Sequence, residues 1–509
     1  MTVPAQGVYR IVVIGDGVAG AMAAAFLAQA LPRDTHAIHL LSVDGEDDSL
    51  GAFGPVEAST PSMRLFHSEL GLTDEYLALR GDAALSLGIA SSGWSSGAAT
   101  FFLPFGDQGA PLSGVAFHQL AARLRAAGRA FRLGDFSVAS IMAQAGRFQR
   151  PSDNPASPLS TYSFGYQINR LRYAGMLRDL AMARGAQSSS SKVQRLELST
   201  DGLLCAAVLQ NGERVPGDLF IDASGSAALG ICALEQSGFE SWAKYLPCDR
   251  SIELVVPDTV PPSPYSHVAA LPIGWRRTVP ANGERGEALI YSSAFADRQA
   301  AEDTLVDMIG RVPANAEIRH SSFVAGRRAD AWVANCVAIG ASACMLDPLA
   351  CQSMMLIENS LRRLLRLFPS HGASSLEARE YNRETSQELD RTRDFVMARY
   401  ALNERVGEPL WDAARNASRP IELEEKLALY RSRGRISLVD GDLFDESEWA
   451  ALLDEQGVRA ERYDVRADSF TPERLDQFLS RMRQAIIASI APLPLHGDYL
   501  ASLRRSIAA

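Results

Sequence analysis

The stretch from residue 9 to residue 27 constrains the fold of this chain more than any other. A short β-rich apolar run leads into the sequence G-D-G-V-A-G at residues 15–20, and an alanine-rich helical pattern follows. A strand, a turn with Gly15, Gly17 and Gly20, and a helix predict a Rossmann-type unit that binds a dinucleotide at the start of the helix. An ordinary turn between a strand and a helix is the alternative.

An acidic residue at the end of the second strand normally holds the ribose of such a dinucleotide. That strand is predicted at residues 36–43 and carries Ser42 in the expected place, so Asp44 is the nearest acidic candidate. A turn aspartate before a glycine is the alternative for Asp44. A later apolar strand within residues 218–225 ends in Asp222, which is a second candidate contact to the nucleotide.

The composition excludes several functional classes. The 509 residues carry a formal net charge of −10 without a strongly basic block, so we expect no nucleic-acid partner. No apolar run approaches the roughly 18 residues of a membrane span and no signal-peptide pattern is present, so we expect a cytoplasmic protein. The cysteines form no C-x-x-C pair and the histidines no H-x-H pattern, so neither a disulfide framework nor a metal site is expected.

The order of the predicted elements indicates an α/β fold. We expect a Rossmann-type cofactor domain with a mixed β-sheet substrate region over residues 1–370, and a helical C-terminal subdomain over residues 371–509. Within the first unit, the cofactor parts lie at about 1–60, 160–240 and 320–370, and the substrate-sheet parts at about 85–115 and 245–320.

Several spaced segments resemble the flavin-dependent tryptophan halogenase family, in the family's order and along nearly the whole chain. They are YSFGYQINRLRYAGMLRDLAMARGA (162–186), DLFIDASG (218–225), ALIYSSAFADRQAAED (288–303), FVAGRRADAWVANCVAIGASACMLDPL (323–349), RTRDFVMARY (391–400), FDESEWAALLDEQG (444–457) and PLPLHGDYL (492–500). The resemblance implies FAD as cofactor, a fold related to that of aromatic hydroxylases, and a helical C-terminal part over the substrate region.

The resemblance also implies cofactor contacts, residue by residue. The family's Gly-Glu-Ala-Thr stretch, which lies against the flavin, matches Val56-Glu57-Ala58-Ser59; a solvated loop acid is the alternative for Glu57. The remaining implied contacts are the phosphate loop at Gly15, Gly17, Val18, Ala19 and Gly20, the flavin loop at Gly340 and Ala341, and Pro348 beside the isoalloxazine ring.

The chain departs from the family where the halogenation chemistry resides. The family's catalytic lysine is Ser86 here, and its catalytic glutamate is Ala350. The Thr-Gly pair that contacts chloride becomes Gln352-Ser353, and the second Trp of the Trp-x-Trp-x-Ile-Pro signature becomes Arg277. These changes affect the chemistry and largely spare the scaffold.

The resemblance implies a reaction in which a flavin C4a-hydroperoxide yields hypochlorous acid that the lysine delivers. Without the lysine, the same hydroperoxide can transfer its hydroxyl to an electron-rich ring. We therefore expect an FAD-dependent monooxygenase that uses O2 to hydroxylate an indole, a tryptophan or a phenol, either free or within a peptide. Relatives of this fold include an enzyme that oxidises a tryptophan in a precursor peptide during maturation of quinohemoprotein amine dehydrogenase. The alternatives are a halogenase with displaced catalytic groups and a flavin oxidase or binding protein without oxygenation.

Three residues are catalytic candidates near the flavin. Asp347 could act as a base or orient water, Ser86 could contact the substrate, and Gln352 could hydrogen-bond the flavin or the substrate. The alternatives are a carboxylate that holds its loop for Asp347 and a small filler residue for Ser86.

Three further residues are substrate candidates. Trp94 and Trp275 could stack on an aromatic ring, with a core position as the alternative for each. Arg276, beside Arg277, could meet an acidic group of the substrate, with a solvated strand edge as the alternative. No second glycine motif for NAD(P)H is visible, so we expect a separate flavin reductase, and the sequence leaves a homodimer open.

Overall fold

The computed structural model describes residues 8–44, 53–95, 100–234, 238–310, 312, 316–369 and 375–508. Its strands are β1 (Tyr9–Ile14), β2 (His36–Leu41), β3 (Val56–Ala58), β4 (Ala84–Ser86), β5 (Gly88–Ser92), β6 (Thr100–Pro104), β7 (Gly165–Asn169), β8 (Gln187–Ser188), β9 (Val193–Leu198), β10 (Leu204–Leu209), β11 (Arg214–Pro216), β12 (Leu219–Asp222), β13 (Phe239–Ser241), β14 (Arg250–Pro257), β15 (Ser266–Leu271), β16 (Gly274–Ala281), β17 (Glu284–Tyr291), β18 (Arg319–Ser322), β19 (Gly326–Arg328), β20 (Trp332–Val333), β21 (Cys336–Ala338) and β22 (Cys344–Met345).

The helices alternate with the strands up to β22 and then occupy the rest of the chain. They are α1 (Val18–Ala30), α2 (Met63–Glu69), α3 (Asp74–Arg80), α4 (Phe117–Ala126), α5 (Val138–Gln144), α6 (Arg170–Ala183), α7 (Leu229–Cys232), α8 (Arg298–Ile309), α9 (Ser353–Arg366), α10 (Ser375–Ala401), α11 (Pro409–Asn416), α12 (Ile421–Arg433), α13 (Glu446–Glu455), α14 (Pro472–Ile490) and α15 (His496–Ala508).

The first sheet has the strand order β20-β21-β12-β1-β2-β8. Strand β1 pairs in parallel with β2 on one side and with β12 on the other, in a register that places Ile14 opposite Leu41 and Asp222. Strand β21 continues the parallel set beyond β12. The carboxyl ends of these strands therefore meet at one edge, which is where open parallel sheets bind ligands.

Helix α1 is buried on nearly all sides because its residues are small and apolar. Residues 20–28 are all buried, and the helix packs against α6 and α9 as well as β2. A helix that is apolar all round belongs in the interior. The alanines let these neighbours approach closely, so the start of α1 is held firmly at the carboxyl edge of the first sheet.

A second sheet has the order β18-β14-β17-β16-β15-β5-β6, and a small third sheet, β3-β7-β4, packs against its strands β16 and β17. Strand β16 shows the alternation of a sheet with two different faces: Trp275, Arg277 and Val279 are buried, while Arg276 and Thr278 are half-buried on the other face.

The C-terminal part is helical, as the sequence analysis expected. Helix α10 carries a run of buried residues at its end, Phe395–Ala401, which enters the core of the second sheet. In the described ranges no helix is long and apolar enough to cross a membrane. The α/β fold with mixed sheets and a helical C-terminal region is confirmed, whereas the boundary at residue 370 stays a prediction.

Candidate active site

A cleft at the carboxyl edge of the first sheet collects five of the sequence-predicted cofactor residues and one catalytic candidate. We call it the cofactor cleft. Six predicted residues line it: Val18, Ala19, Glu57, Gly340, Ala341 and Gln352. Further lining residues that the sequence analysis did not single out are Arg170, Ala223, Gly225, Met345 and Leu346.

The glycine turn fits a bound pyrophosphate. Gly15 has a φ of +103°, and a Cβ there would lie 2.4 Å from the Ala223 carbonyl oxygen. A Cβ on Gly20 would lie 1.7 Å from the Gly15 carbonyl oxygen, so no side chain can be accommodated there. The N-cap of α1 is Gly17, no side chain caps the helix, and its first turn holds no acidic residue. The helix N-terminus is thus left for an anion.

Ser42 and Asp44 are the residues at the expected ribose position. The Ser42 hydroxyl donates to Asp16 Oδ2 at 2.9 Å, next to the glycine turn. Asp44 is largely exposed, accepts a hydrogen bond from Gln210 at 2.6 Å and lies 3.6 Å from Lys192. Its contact to the ribose stays a prediction.

Asp222 holds together the loops that line the cleft. It is fully buried, and its Oδ1 accepts hydrogen bonds from the Ser224 hydroxyl at 2.6 Å and from Ser342 at 3.2 Å, while Oδ2 accepts from the Ile231 N–H at 2.8 Å. The carboxylate ties the end of β12 to the loop that follows β21. The structure thus gives Asp222 a positioning role for the loops that line the cleft.

Glu57 is a buried wall residue and not a solvated loop acid. Its side chain is 2% exposed, and Oε2 lies 3.2 Å from Arg170 Nη1. Arg170 begins α6 and also lines the cleft. The ion pair between Glu57 and Arg170 therefore places two opposite charges in the wall of the cleft. Ala58 is buried one residue further on, opposite Gln167 of β7.

The loop at residues 347–352 reaches the cleft through Gln352 and is braced by that side chain. Gln352 Nε2 donates to the Asp347 carbonyl at 2.6 Å, and Gln352 Oε1 accepts from the Ala350 N–H at 3.1 Å. Both ends of the amide are therefore used within the loop. Pro348 is buried inside it, and Cys351 has a φ of +56°, the left-handed region that ordinary residues rarely adopt.

Asp347 is the most chemically unusual group of this region. It is fully buried, the Tyr400 hydroxyl donates to its Oδ2, and its Oδ1 has no partner among the described residues. Burial raises the pKa of the Asp347 carboxyl to about 6. The hydrogen bond from Tyr400 acts in the opposite direction and lowers that pKa. Trp275 Nε1 donates to the Tyr400 oxygen at 2.8 Å and thereby orients the hydroxyl.

The two predicted substrate tryptophans lie in the core. Trp94 and Trp275 are both 0% exposed. Trp94 packs edge-on against Trp411, and Tyr400 stacks on the other side of Trp411. The structure therefore links Trp94 and Trp275 through one aromatic cluster next to Asp347, and their contact with a substrate stays a prediction.

Arg399 is a buried cation that braces the same loop. Its guanidinium donates to the Leu349 carbonyl at 2.8 Å and to the Ser91 hydroxyl at 2.5 Å, and it lies over the Trp94 ring. Sequence patterns did not indicate Arg399 and Tyr400 as site residues, although both lie in the segment 391–400 that carried part of the family resemblance. Their burial depends on helix α10 entering the second sheet, which no local pattern reveals.

Ser86 occupies a small, closed site. It is fully buried at the end of β4 opposite Gly165, and its hydroxyl donates to the Gly88 carbonyl at 3.3 Å. Ala350 is 2% exposed and offers no functional group. At these two departures from the family pattern, neither Ser86 nor Ala350 supplies a cation or a carboxylate.

Arg276 lies on the face of β16 opposite Trp275. Its guanidinium binds Glu287 through two hydrogen bonds of 2.9 Å each. The structure therefore does not bring Arg276 together with the other predicted substrate residues. A solvated strand edge does not describe it either, because Glu287 is buried beneath it.

Comparison with known proteins adds the family. The tryptophan halogenase family matches residues 10–472. Tryptophan 6-halogenase ThaL of Streptomyces albogriseolus is 27% identical over 447 residues, which cover 83% of this chain and 82% of that protein. Tryptophan 7-halogenase RebH of Lentzea aerocolonigenes is 26% identical over the same shares of the two chains.

Solved structures agree in fold along the whole chain. BrvH, a flavin-dependent halogenase from Brevundimonas sp. BAL3, superposes with a TM-score of 0.91 at 32% identity and covers 97% of this chain and 99% of its own. Xcc4156, a flavin-dependent halogenase from Xanthomonas campestris, gives a TM-score of 0.91 at 28% identity over 98% and 99%.

Proposed function

The chain belongs to the tryptophan halogenase family, and from that premise we propose that it uses FAD and O2 to modify an electron-rich aromatic ring of the indole type. The coarse part of this statement, a flavin-dependent enzyme of the halogenase fold, follows from membership. The single observation that carries the finer part is the pairing of a complete cofactor cleft with an Asp347 that keeps one unpartnered, buried carboxylate oxygen.

The residues of the cleft fit FAD. The phosphates would lie on Gly17, Val18 and Ala19 at the start of α1, and the flavin ring between Glu57 and the Gln352 loop. When bound, reduced FAD supplies the activation of O2 that ring oxidation needs. The chain itself contributes the walls that exclude water from this chemistry.

Halogenation is the reaction that the comparisons support better. ThaL, RebH and BrvH are all named as halogenases, and the chain covers most of the length of each. The balanced reaction takes ArH, halide, a proton, O2 and reduced FAD to ArX, two H2O and FAD. The named relatives therefore support halogenation over the hydroxylation that the sequence favoured.

Hydroxylation is the candidate that the residues of this chain favour, and we propose it for the transferred atom. A lysine that delivers a halogen must lie near the substrate, and the two positions that match the family's lysine and glutamate hold the uncharged residues Ser86 and Ala350. The sequence contains only three lysines. Lys192 lies beside Asp44, Lys244 over Tyr245 and Lys426 beside Asp442, and none of them lines the cofactor cleft. The balanced reaction takes ArH, O2 and reduced FAD to ArOH, H2O and FAD.

Asp347 would accept the proton that the ring loses in either reaction. Its unpartnered Oδ1 is the acceptor, and the Tyr400 hydroxyl holds the other oxygen in place. Because its pKa is raised only to about 6, the carboxyl is still mostly ionised at neutral pH and can take up a proton. A separate reductase would deliver reduced flavin, and a peptide-bound substrate and a homodimer stay proposals.

The test is an assay with enzymatically reduced FAD, an indole panel and isotopically labelled ¹⁸O2. We expect a product that carries one labelled oxygen atom and whose formation requires both FAD and O2. Asp476→Asn, at an exposed position near the start of α14, serves as the control variant and should leave the product yield unchanged. Consumption of O2 that yields only H2O2 with every ring tested would contradict the proposal.

A further inference from the structure

A second cleft, of about 830 Å³, is lined by a different set of residues from the cofactor cleft. It lies between the end of helix α5, the segment 258–265 before β15, the turn that joins β16 to β17, and the start of helix α15. We call it the proline cleft, after the three prolines at residues 261, 262 and 264 that line it. Ligand sites typically have volumes of roughly 300 to 1,000 Å³, so this cleft is large enough to hold a ligand.

His496 brings an unpaired hydrogen-bond acceptor to the wall of the proline cleft. The residue is 2% exposed, and its Nδ1 lies 2.7 Å from the carbonyl oxygen of Pro262, which also lines the cleft. A carbonyl oxygen can only accept a hydrogen bond, so Nδ1 carries the proton and Nε2 keeps a lone pair. Burial lowers the pKa of His496 to about 4, so the ring is neutral at pH 7. Nε2 is buried and has no partner among the described residues.

Arg504, about two turns further along α15, brings an unpaired donor to the same wall. Its Nε donates to the Ala78 carbonyl at 3.1 Å, and its Nη1 donates to the Asn282 side-chain oxygen at 2.8 Å. Both of these partners are uncharged, and Nη2 is buried without a partner in the part of the chain that the structure describes. Because an unpaired buried polar group is costly, the unpaired donor and acceptor of this wall indicate a ligand that pairs with both.

The rest of the proline cleft is mainly apolar and carries charges of both signs. Asp258 is paired with Arg285 at 2.9 Å, and Asp498 lies in the first turn of α15. Val260 and Leu495 line the cleft and are 67% and 53% exposed, so the apolar surface extends to the rim. With two acids beside one arginine, the cleft does not select for an anion.

These properties match an extended peptide segment. A peptide backbone offers an N–H group to His496 and a carbonyl oxygen to Arg504 without adding net charge. Eight residues of an α-helix rise about 12 Å, which an extended chain spans with about four residues. A single amino acid is too short to cover that separation. Apolar side chains of the peptide would then contact the prolines of the wall.

The proline cleft adjoins the position at which the family carries its lysine. The Pro264 carbonyl accepts a hydrogen bond from the Leu87 N–H at 2.7 Å, and Leu87 directly follows Ser86. Tyr265, the next lining residue, packs edge-on against Phe102 of β6 with 5.7 Å between the ring centroids. Direct contacts therefore connect the cleft to the strands around Ser86.

We propose that the proline cleft is a docking site for an extended peptide segment, whose backbone pairs with His496 and Arg504, and that the aromatic ring modified by this protein belongs to such a peptide. The proposal deepens the substrate part of the proposed function and rests on that function for the identity of the ring.

The test measures, by isothermal titration calorimetry without FAD, the binding of the blocked peptide acetyl-Gly-Leu-Trp-Leu-Gly-amide and of free tryptophan. We expect the wild-type protein to bind the peptide at least about ten-fold more tightly than tryptophan. Arg504→Leu should weaken peptide binding by about ten-fold, because a hydrogen bond from a charged group is lost, and should leave tryptophan binding unchanged. Arg505→Leu, at the exposed neighbouring position of α15, is the matched control and should change neither affinity.

Ala501→Phe provides a second variant that removes no hydrogen bond. Ala501 is a half-buried lining residue of α15, so a phenylalanine there should fill part of the cleft and weaken peptide binding by at least about ten-fold. This variant decides the matter even if Arg504→Leu does not fold.

Three results overturn the proposal. They are a wild-type protein that binds the peptide no more tightly than tryptophan, a peptide affinity that is unchanged in Ala501→Phe or in folded Arg504→Leu, and an equal loss in Arg505→Leu. Because these measurements contain no FAD, such results leave the flavin chemistry untouched. A protein that binds the peptide as expected but forms no oxygenated product with reduced FAD and O2 would instead contradict the proposed function.

Discussion

Asp347 combines two properties that rarely occur together in a residue without a function. It is an acidic group with no exposure, and one of its oxygens lacks a hydrogen bond among the described residues. A structural carboxylate would be expected to use both oxygens, as Asp222 does with Ser224 and Ile231. Strain of this kind concentrates at sites where a ligand completes the contacts.

The replacement Asp347→Asn should separate stability from activity. The folded-state pKa of about 6 lies above the ordinary value of 3.8, so the folded protein binds more protons between these values and the free energy of unfolding falls as the pH rises through them. Asparagine cannot ionise, so the variant should be more stable than wild type by about 1 to 3 kcal/mol at pH 8, with the difference fading below about pH 4. Product formation should fall by about 100-fold.

Urea unfolding at pH 4 and pH 8, together with product yield, checks this prediction. Asp476→Asn, at an exposed position, should change neither quantity. A variant that loses stability at pH 8 while keeping its activity would show that Asp347 only holds its loop.

Tyr400→Phe should shift the pH dependence of the reaction. The tyrosine hydroxyl donates to Asp347 and stabilises the ionised carboxyl, so its removal should raise the pKa of Asp347 further above about 6. The acid limb of the pH–rate profile should then move to higher pH. Tyr381→Phe, a buried tyrosine of the same helix that packs on Trp332, is the control and should leave the limb in place. An unshifted limb in Tyr400→Phe would rule out Asp347 as the titrating group.

At the scale of elements, the strand, glycine turn and helix at the start of the chain could be predicted from the sequence, whereas the partners of Asp347 and its loop could not. The glycine turn is a local signal in the sequence, because the glycines fall between a strand pattern and a helix pattern, and Gly20 is required by its contact with the Gly15 carbonyl oxygen. Arg399 and Tyr400 meet Leu349 and Asp347 across about 50 residues of chain. Such contacts depend on how α10 enters the second sheet, and no periodicity encodes that.

The two faces of β16 show the same limit of sequence-based prediction within a single strand. Arg276 and Arg277 are adjacent in sequence and look alike, yet Arg276 binds Glu287 on one face of the strand and Arg277 is buried on the other. Strand alternation predicts opposite faces, but only the packing of β3 and β7 on the sheet decides which face is the interior.

Gly20→Ala should abolish tight cofactor binding. Its Cβ would lie 1.7 Å from the Gly15 carbonyl oxygen, so α1 must move away from the turn that holds the phosphates. We expect FAD affinity to fall at least about ten-fold, as measured by flavin fluorescence. Gly175→Ala is the matched control, because that helical glycine of α6 has only an arginine side-chain tip nearby, at 3.9 Å. Equal affinities for the two variants would contradict the placement of the phosphates.

At the scale of the whole molecule, the chain keeps the fold of the family, and our proposal is that the chemistry of its centre differs. The likeness to BrvH covers 97% of the chain, including the helical C-terminal part. The departures at Ser86, Ala350 and Arg277 all concern residues that are buried in the core, so they alter the interior without altering the surface.

Restoring the family's lysine and glutamate tests whether the departures at Ser86 and Ala350 determine the reaction. The double variant Ser86→Lys with Ala350→Glu places a lysine and a glutamate at two buried positions, and we expect a brominated product to appear with bromide present. The single Ser86→Lys variant should be destabilised by about 3 to 5 kcal/mol, because its buried charge lacks a partner. Mass spectrometry and thermal unfolding check the two expectations, and a double variant that folds and still yields no brominated product would place the cause elsewhere.

The most direct test of the central claim is the mass of the product formed by the wild-type protein in saturating bromide. With reduced FAD, O2 and an indole substrate, we expect the product to gain one oxygen atom at a rate that does not depend on bromide, because Ser86 and Ala350 cannot deliver a halogen. A brominated product from the wild-type protein would contradict the claim and make the chain a halogenase that works without the family's lysine.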